Sequence, residues 1–272
     1  MSKSYARAIV RLAEFVTLPL RPHRRLETRA RAAEYLATNI PVVTPRGRLS
    51  FYTSTQRAYH YPWFFESDEP DTLAWIDGFP DGACFWDVGA NVGAFSLYAA
   101  LSPALRVLAF EPSASSYGVL ARNVEINAMD DRISAYCLAF CERTRLDVLN
   151  MEHTGAGHSM HGFGTGINAF DAPIRTRFRQ AAVGYSMDDF IETFHPPPPT
   201  HLKIDVDGIE AEILRGAART LVLPRLVSVS IEVMGDRETP RNREIFELMA
   251  RAGFAPRAQT GPAYRNVIFE RR

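Results

Sequence analysis

The segment Asp87-Val88-Gly89-Ala90-Asn91-Val92-Gly93 lies between two apolar runs, Cys84 to Val88 and Val92 to Leu101. Glycines at 89 and 93 permit a tight turn and close approach of a ligand to the backbone. Amides at the start of a following helix carry partial positive charge, which suits an anionic or carboxylate group. The next apolar run, Arg106 to Phe110, ends in Glu111-Pro112, and Glu111 stands 18 residues beyond Gly93. A carboxylate there can accept hydrogen bonds from both hydroxyls of a ribose. Turn and carboxylate together predict an adenosine-type cofactor, with Asp87, Gly89, Asn91, Gly93 and Glu111 as its binding residues. A loop glutamate and a plain packing turn are the bland alternatives.

The two motifs alone do not separate a nicotinamide cofactor from S-adenosylmethionine, but three details favour the methyl donor. The turn is Gly-x-Asn-x-Gly rather than the dinucleotide Gly-x-Gly-x-x-Gly. Asp87 stands where a methionine amino group would lie, and a carboxylate there would repel a pyrophosphate. The third detail is Leu202-Lys203-Ile204-Asp205-Val206-Asp207-Gly208-Ile209-Glu210. As a strand of period two it points Lys203, Asp205 and Asp207 to one face. Central parallel strands are normally apolar on both faces, so charges at this carboxyl end must be paired or used. Ligands of open α/β sheets sit beyond those ends. Asp205 is accordingly expected both to bind cofactor and to shape the reaction site. Asp205, Asp207 and Glu232 could instead hold a divalent metal, an arrangement that a structural carboxylate pair explains more simply.

To carry these residues the chain must form a mainly parallel sheet covered by helices. Strands are predicted at Cys84–Val88, Arg106–Phe110, Arg132–Leu138, His201–Val206 and Leu226–Val233. Helices are predicted at Val92–Leu101, Ser113–Asn127, Glu210–Leu221 and Asn242–Ala252. Such alternation indicates an α/β, doubly wound fold. Two strands are expected in the tail, with a turn near Gln259-Thr260-Gly261-Pro262. Arg175–Tyr185 adds a strand, and Ser186 caps a short helix. Between the third and fourth strands, residues 154–170 hold five glycines and no Asp, Glu, Lys or Arg. A mobile loop is expected over about 150–172.

The first third is different. Residues 1–31 carry eight basic and two acidic side chains. Ile9, Leu12, Phe15 and Val16 recur at helical spacing, which predicts an amphipathic helix. It could lie on an anionic membrane surface, although packing on the body or on a second subunit is the more ordinary use. Phe51, Tyr52, Tyr59, Tyr61, Trp63, Phe64 and Phe65 crowd the stretch from 41 to 70 and suit either a pocket wall or the core of a cap. Residues 1–80 are expected to form that basic helix and aromatic cap, and residues 81–272 the cofactor-binding domain.

Composition limits the function further. The 272 residues have 31 basic and 31 acidic side chains, so formal net charge is +0, with 46% hydrophobic and 23% charged residues. This is an ordinary globular balance. It disfavours nucleic-acid binding by bulk charge, and strand four does not end in the Asn/Asp-Pro-Pro-aromatic sequence of a nucleic-acid methyltransferase. Cys84, Cys137 and Cys141 are too few and too irregular for a disulfide framework or a zinc site. No signal peptide or membrane span is legible, so a cytoplasmic location is expected, peripheral to a membrane if the first helix binds one.

The ordered set of motifs carries a resemblance. Phe85 to Gly93, Ala109-Phe110-Glu111-Pro112, Asn123 with Asn127, Leu202 to Glu210, and Leu214-Arg215-Gly216-Ala217 resemble the FkbM family of S-adenosylmethionine-dependent methyltransferases, over roughly residues 83–235. Where the family commonly has Lys-Ile-Asp-x-Glu-Gly-x-Glu, Asp207 stands in place of the first Glu. The resemblance implies a class I methyltransferase fold and O-methylation of a saccharide, glycolipid or natural-product hydroxyl. Such a hydroxyl needs a base, and His158 is the first candidate, with His153 and His161 behind it. A nicotinamide-dependent oxidoreductase and a non-catalytic cofactor- or sugar-binding member are the competing readings.

Overall fold

The computed structural model describes residues 2–170, 172–257 and 266–272. The chain divides into two units, Met1–Asn39 and Ile40–Arg272. The boundary expected near residue 80 therefore falls near residue 40. The reason is packing: the aromatic stretch belongs to the same body as the sheet.

In the first unit, α1 (Ser2–Thr17) and α2 (Pro22–Leu36) form a helical hairpin, with Arg29 3.5 Å from Glu14. Tyr5, Ile9, Leu12, Phe15 and Val16 of α1 are exposed. No helix among the described residues is long and apolar enough to cross a membrane.

The larger unit begins with β1 (Thr38–Thr44) and β2 (Gly47–Thr53), an isolated two-stranded sheet. Helices α3 (Tyr61–Asp68) and α4 (Pro70–Asp77) follow. The central sheet then uses β3 (Cys84–Val88), β4 (Arg106–Phe110) and β5 (Ile133–Tyr136). Later it adds β10 (His201–Ile204), β11 (Ser228–Glu232), β12 (Phe254–Pro256) and β13 (Asn266–Arg271). Its order is β12-β13-β11-β10-β3-β4-β5. The neighbours from β5 to β11 run parallel, and β13 pairs antiparallel on both sides. A dinucleotide fold has the order 3-2-1-4-5-6; here an antiparallel strand is inserted beside the fifth. This is the Rossmann-like class I methyltransferase arrangement. The two tail strands form as expected, while the turn placed near Gln259 lies outside the described residues.

Burial explains why β3 stays extended: all five residues are buried, as parallel strands with two covered faces require. Trp86 packs with Phe110, Phe140 and Phe190 on one side, and Phe85 packs on Trp75 and Phe79 on the other. Helices α5 (Ala94–Ala100) and α6 (Ala114–Ile126) cover that second side. The predicted helix Glu210–Leu221 splits into α8 (Glu210–Arg215) and α9 (Ala218–Leu221), parted at Gly216-Ala217. Thr239 caps α10 (Pro240–Arg251) through the Asn242 amide.

The interruption before β10 holds β6 (Ala139–Phe140), β7 (Arg145–Met151), β8 (Gly162–Phe163) and β9 (Phe178–Tyr185), a second sheet of order β6-β9-β7-β8. Ser186 caps α7 (Met187–Phe194) as expected. The family-motif asparagines have a structural task. Asn123 Oδ1 accepts the Tyr52 amide at 2.7 Å, and its Nδ2 donates to the Val92 carbonyl at 2.8 Å. Asn127 exchanges both bonds with Ser50. Two side chains of α6 thus supply β2 with the partners a neighbouring strand would give.

Candidate functional site

A cavity of about 270 Å³ opens beyond the carboxyl ends of β3, β4 and β10. The Gly89 turn forms its floor. Gly89 has φ +84°, and a Cβ there would fall 1.8 Å from the Asp205 carbonyl oxygen. Only glycine allows β3 and β10 to end this close together. Gly93, φ +87°, admits Leu120 where a Cβ would fall 2.4 Å from its Cδ1. Gly93 therefore packs α5 on α6 and does not reach the cavity wall.

Glu111 and Asn91 line the cavity together. The buried Glu111 carboxylate accepts the Asn91 amide at 2.9 Å on one oxygen and the Ser113 amide at 2.8 Å on the other. Burial pushes its pKa up to about 7, against the lowering effect of those two amides. Each oxygen keeps a second lone pair. Asn91 Nδ2 donates to the His158 carbonyl, and its Oδ1 is buried without a partner.

At the end of β10 the predicted alternation stops at Ile204. The Asp205 amide still donates to the Val88 carbonyl at 3.0 Å, but Asp207 turns to φ +65°. Asp205 and Asp207 line the cavity, and Asp207 Oδ2 accepts the Met160 amide at 2.6 Å. Lys203 is 2% exposed and donates to Asp205 Oδ2, with Glu69 4.0 Å away and the Phe95 ring 4.8 Å away. Burial alone would lower its pKa, but Asp205, Glu69 and Asp87 outweigh burial and raise it. Asp87 sits one layer behind. Its Oδ2 accepts the Ser96 hydroxyl at 2.6 Å, its Oδ1 is buried without a partner, and it does not line the cavity. Burial raises its pKa while Lys203 and Ser96 pull it down. Glu232, buried at the end of β11, also stands off the cavity. The three carboxylates considered for a metal are therefore not gathered. Among the described residues no cluster of three His, Cys, Asp or Glu side chains is arranged to hold one.

The outer wall comes from two segments far apart in sequence. Arg57, His60, Tyr61 and Glu69 come from one, His158, Ser159 and His161 from the other. They are tied by Thr55 Oγ1, which donates to the Ala156 carbonyl at 2.7 Å, and by Tyr61 OH, which donates to the Gly157 carbonyl at 3.5 Å. Gly157, φ +84°, lets its loop lie on Arg57 and Ala58, whose backbone a Cβ would meet within 2.9 Å. The loop is thus docked at residues 155–160 and again at Ala169, which packs on Gly208 and whose carbonyl accepts from Arg241. His158 and His161 reach the cavity, while the His153 ring lies 4.6 Å from that of His158. Burial lowers the pKa of His158 and brings His161 to about 4. Both ring nitrogens of His161 are buried without a partner. Burial and then Asp205 raise the pKa of Tyr61. Arg57 and Glu69 carry no local sequence signal. Tyr61 was visible only as one of seven crowded aromatics, of which Phe51 and Phe65 are core and Tyr59, Trp63 and Phe64 are exposed.

The model of the methyltransferase FkbM domain matches residues 87–256, from Asp87 through the end of β12. The chain belongs to the FkbM methyltransferase family. A relative, methyltransferase sdnD of Sordaria araneosa, is 26% identical over 202 residues, 66% of this chain and 76% of its own length. The FkbM methyltransferase structure from Methylobacillus flagellatus is 18% identical with a TM-score of 0.46. The match covers 79% of this chain and about half, 54%, of that one. The precorrin-6y C5,15-methyltransferase of Geobacter metallireducens is 13% identical with a TM-score of 0.43, over 74% of this chain and 86% of its own. The FkbM match contains the Gly89 turn, Glu111, the outer loop and Asp205, but not Arg57, Tyr61 or Glu69. An adenosyl cofactor fits the inner wall. Gly89 lines the cavity, Glu111 keeps lone pairs for hydroxyl donors, and Asn91 Oδ1 is an orphaned acceptor.

Proposed function

We propose that this chain transfers a methyl group from S-adenosylmethionine to a hydroxyl of a saccharide, glycolipid or natural-product acceptor. The observation that carries the reading is the meeting of Gly89, Glu111 and Asp205 at one cavity beyond three parallel strand ends. S-adenosylmethionine, when bound, supplies an electrophilic methyl group. Glu111 and the Asn91 turn hold the nucleoside. Asp205, fixed by Lys203, positions the reacting end. Asp87 acts through Lys203 rather than by contact. Phe95 and Tyr61 help keep water from the cavity. His158 takes the acceptor proton, because its lowered pKa leaves the imidazole neutral at pH 7. His161, at about 4, is a poorer base and serves as a neutral hydrogen-bond partner.

Calorimetric titration with S-adenosylhomocysteine and with NAD tests the cofactor. One-to-one binding of the first and none of the second is expected; the opposite pattern would turn the reading to an oxidoreductase. With methyl-tritiated donor and an acceptor found among cell glycans and lipids, His158→Ala is expected to lower kcat about 100-fold. An unchanged kcat removes His158 as the base.

A second reading concerns α1 alone. Its exposed Ile9, Leu12 and Phe15, with Lys3, Arg7 and Arg11 on the same helix, favour peripheral binding to an anionic membrane. Co-sedimentation with phosphatidylglycerol vesicles should fall at least tenfold when residues 2–20 are deleted; equal partitioning dismisses it.

A further inference from the structure

The charges of the cavity wall are divided. Glu111, Asp205 and Asp207 belong to its inner part; of the outer carboxylates, Asp68 is paired with His60 and Glu69 accepts from Thr72 and Asn266, and the Lys203 ammonium is already engaged by Asp205 and Glu69. The other cationic side chain on the wall is Arg57, which is exposed at the outer end. Among the described residues its guanidinium makes no hydrogen bond, ion pair or ring contact. Its backbone is nonetheless fixed. The Ala58 amide donates to Thr55 Oγ1 at 3.0 Å, the His60 amide donates to the Arg57 carbonyl at 3.0 Å, and the Gly157 loop lies against it.

We propose that the acceptor carries an anionic group, a carboxylate or a phosphate ester, and that Arg57 binds it at the outer end of the cavity. The inference rests on the methyltransferase reading for the identity of the ligand, and on the Arg57 geometry for its charge. A planar guanidinium without an internal partner offers paired N–H donors that match a carboxylate or phosphate. The inner carboxylates repel such a group, so the same field that draws it to Arg57 turns the neutral hydroxyl inward. Bound charge also acts on His158. Burial, then His153 and last the Arg57 cation depress proton affinity at His158, and an anion seated on the guanidinium relieves the last of these and makes the imidazole a better base. Arg57 is thus a specificity-determining residue that also arms the base.

The test uses the full chain saturated with S-adenosylhomocysteine, with glucose, glucuronate and glucose 6-phosphate as probes in saturation-transfer NMR titrations. At least one anionic sugar should bind ten or more times tighter than glucose, and whichever wins identifies carboxylate or phosphate as the preferred group. Arg57→Ala should abolish the preference and Arg57→Lys restore part of it, with the His158 ring titration rising on anion binding only when Arg57 is present. Equal or absent binding of all three sugars, or a preference that survives Arg57→Ala, overturns the inference. Failure to bind S-adenosylhomocysteine would instead strike the methyltransferase reading, and the sugar titrations on the unliganded chain then decide the anion inference separately.

Discussion

The inner and outer walls of the cavity are built by different physics. The inner wall is the end of a sheet. Gly89 and Asp205 approach because β3 and β10 are hydrogen-bonded neighbours, and Glu111 is set by the next strand. The carboxylates there are clamped, Glu111 and Asp207 by backbone amides and Asp205 by a buried cation. The outer wall joins a helix-entry segment to a loop about a hundred residues later through two single hydrogen bonds, and a third ties that loop to Ser116 of α6. One wall is specified by regular structure and will tolerate little change. The other can vary its side chains without disturbing the sheet, which is where acceptor choice belongs.

That contrast is open to direct attack. The largest effect is expected from Gly89→Ala, whose Cβ would overlap the Asp205 carbonyl at a positive φ. A loss of about 4 kcal/mol or more is expected in chemical denaturation, and S-adenosylhomocysteine binding should vanish in calorimetry. Retained binding would show that the strand ends can part. Lys203→Met leaves Asp205, Glu69 and Asp87 without their shared cation, at a cost of about 3 kcal/mol.

Next in size is a pH effect. The Glu111 carboxyl is raised from 4.5 to about 7 in the folded chain. Between those values the folded state holds a proton that the unfolded state releases, so the contribution of Glu111 to stability falls as pH rises from 4.5 to 7 and is flat above. The span is about 3 kcal/mol for this group. Glu210, also raised to about 7 by burial, acts with the same sign. His161 and His201, lowered from 6.5 to about 4 by burial, act with the opposite sign over most of this window. Glu111→Gln, measured by denaturation at a series of pH values, should therefore make stability rise between pH 4.5 and 7 by about 3 kcal/mol more than in the parent chain. Affinity for S-adenosylhomocysteine should strengthen from pH 6 to 8 in the parent chain and stay level in Glu111→Gln.

Asn123→Ala probes the joint that carries the outer wall. It orphans the Tyr52 amide and the Val92 carbonyl, and about 2 kcal/mol should be lost. The smallest effect is expected from Thr55→Val, about 1 kcal/mol, read as a higher acceptor KM with donor binding unchanged. If Thr55→Val weakened the donor as much as the acceptor, the two walls would not be separable.

The inner wall was legible in the sequence because its signals are local. A strand, a glycine turn and a carboxylate at the next strand end sit within 28 residues, from Cys84 to Glu111, and β3 and β4 begin and end at the predicted residues. Asp205 and Asp207 were found by the oddity of charge in a central strand. Asp87 and Gly93 were marked as cofactor-binding, yet neither lines the cavity: one balances Lys203 from behind the wall and the other packs Leu120. Spacing alone cannot tell a contact from its support. The second sheet was largely hidden, since β7 pairs β9 across a glycine-rich stretch with little periodicity. The loop 154–170 was readable as lacking charge, but its docking depends on Thr55, Ser116 and Asp207, none of them near it in sequence.

By itself the sequence determined the parallel sheet, the glycine turn after its first strand and the carboxylate at the end of the next, because strand burial, positive-φ glycines and helix starts are written within a few residues of one another. The tertiary structure alone decided that Arg57 and Tyr61 line one cavity with Asp205, that three histidines are sorted into two on the wall and one behind, and that Glu232 stands apart. Those relations arise from long-range contacts, and side-chain environment, pKa and partnership are properties of the assembled neighbourhood rather than of any segment.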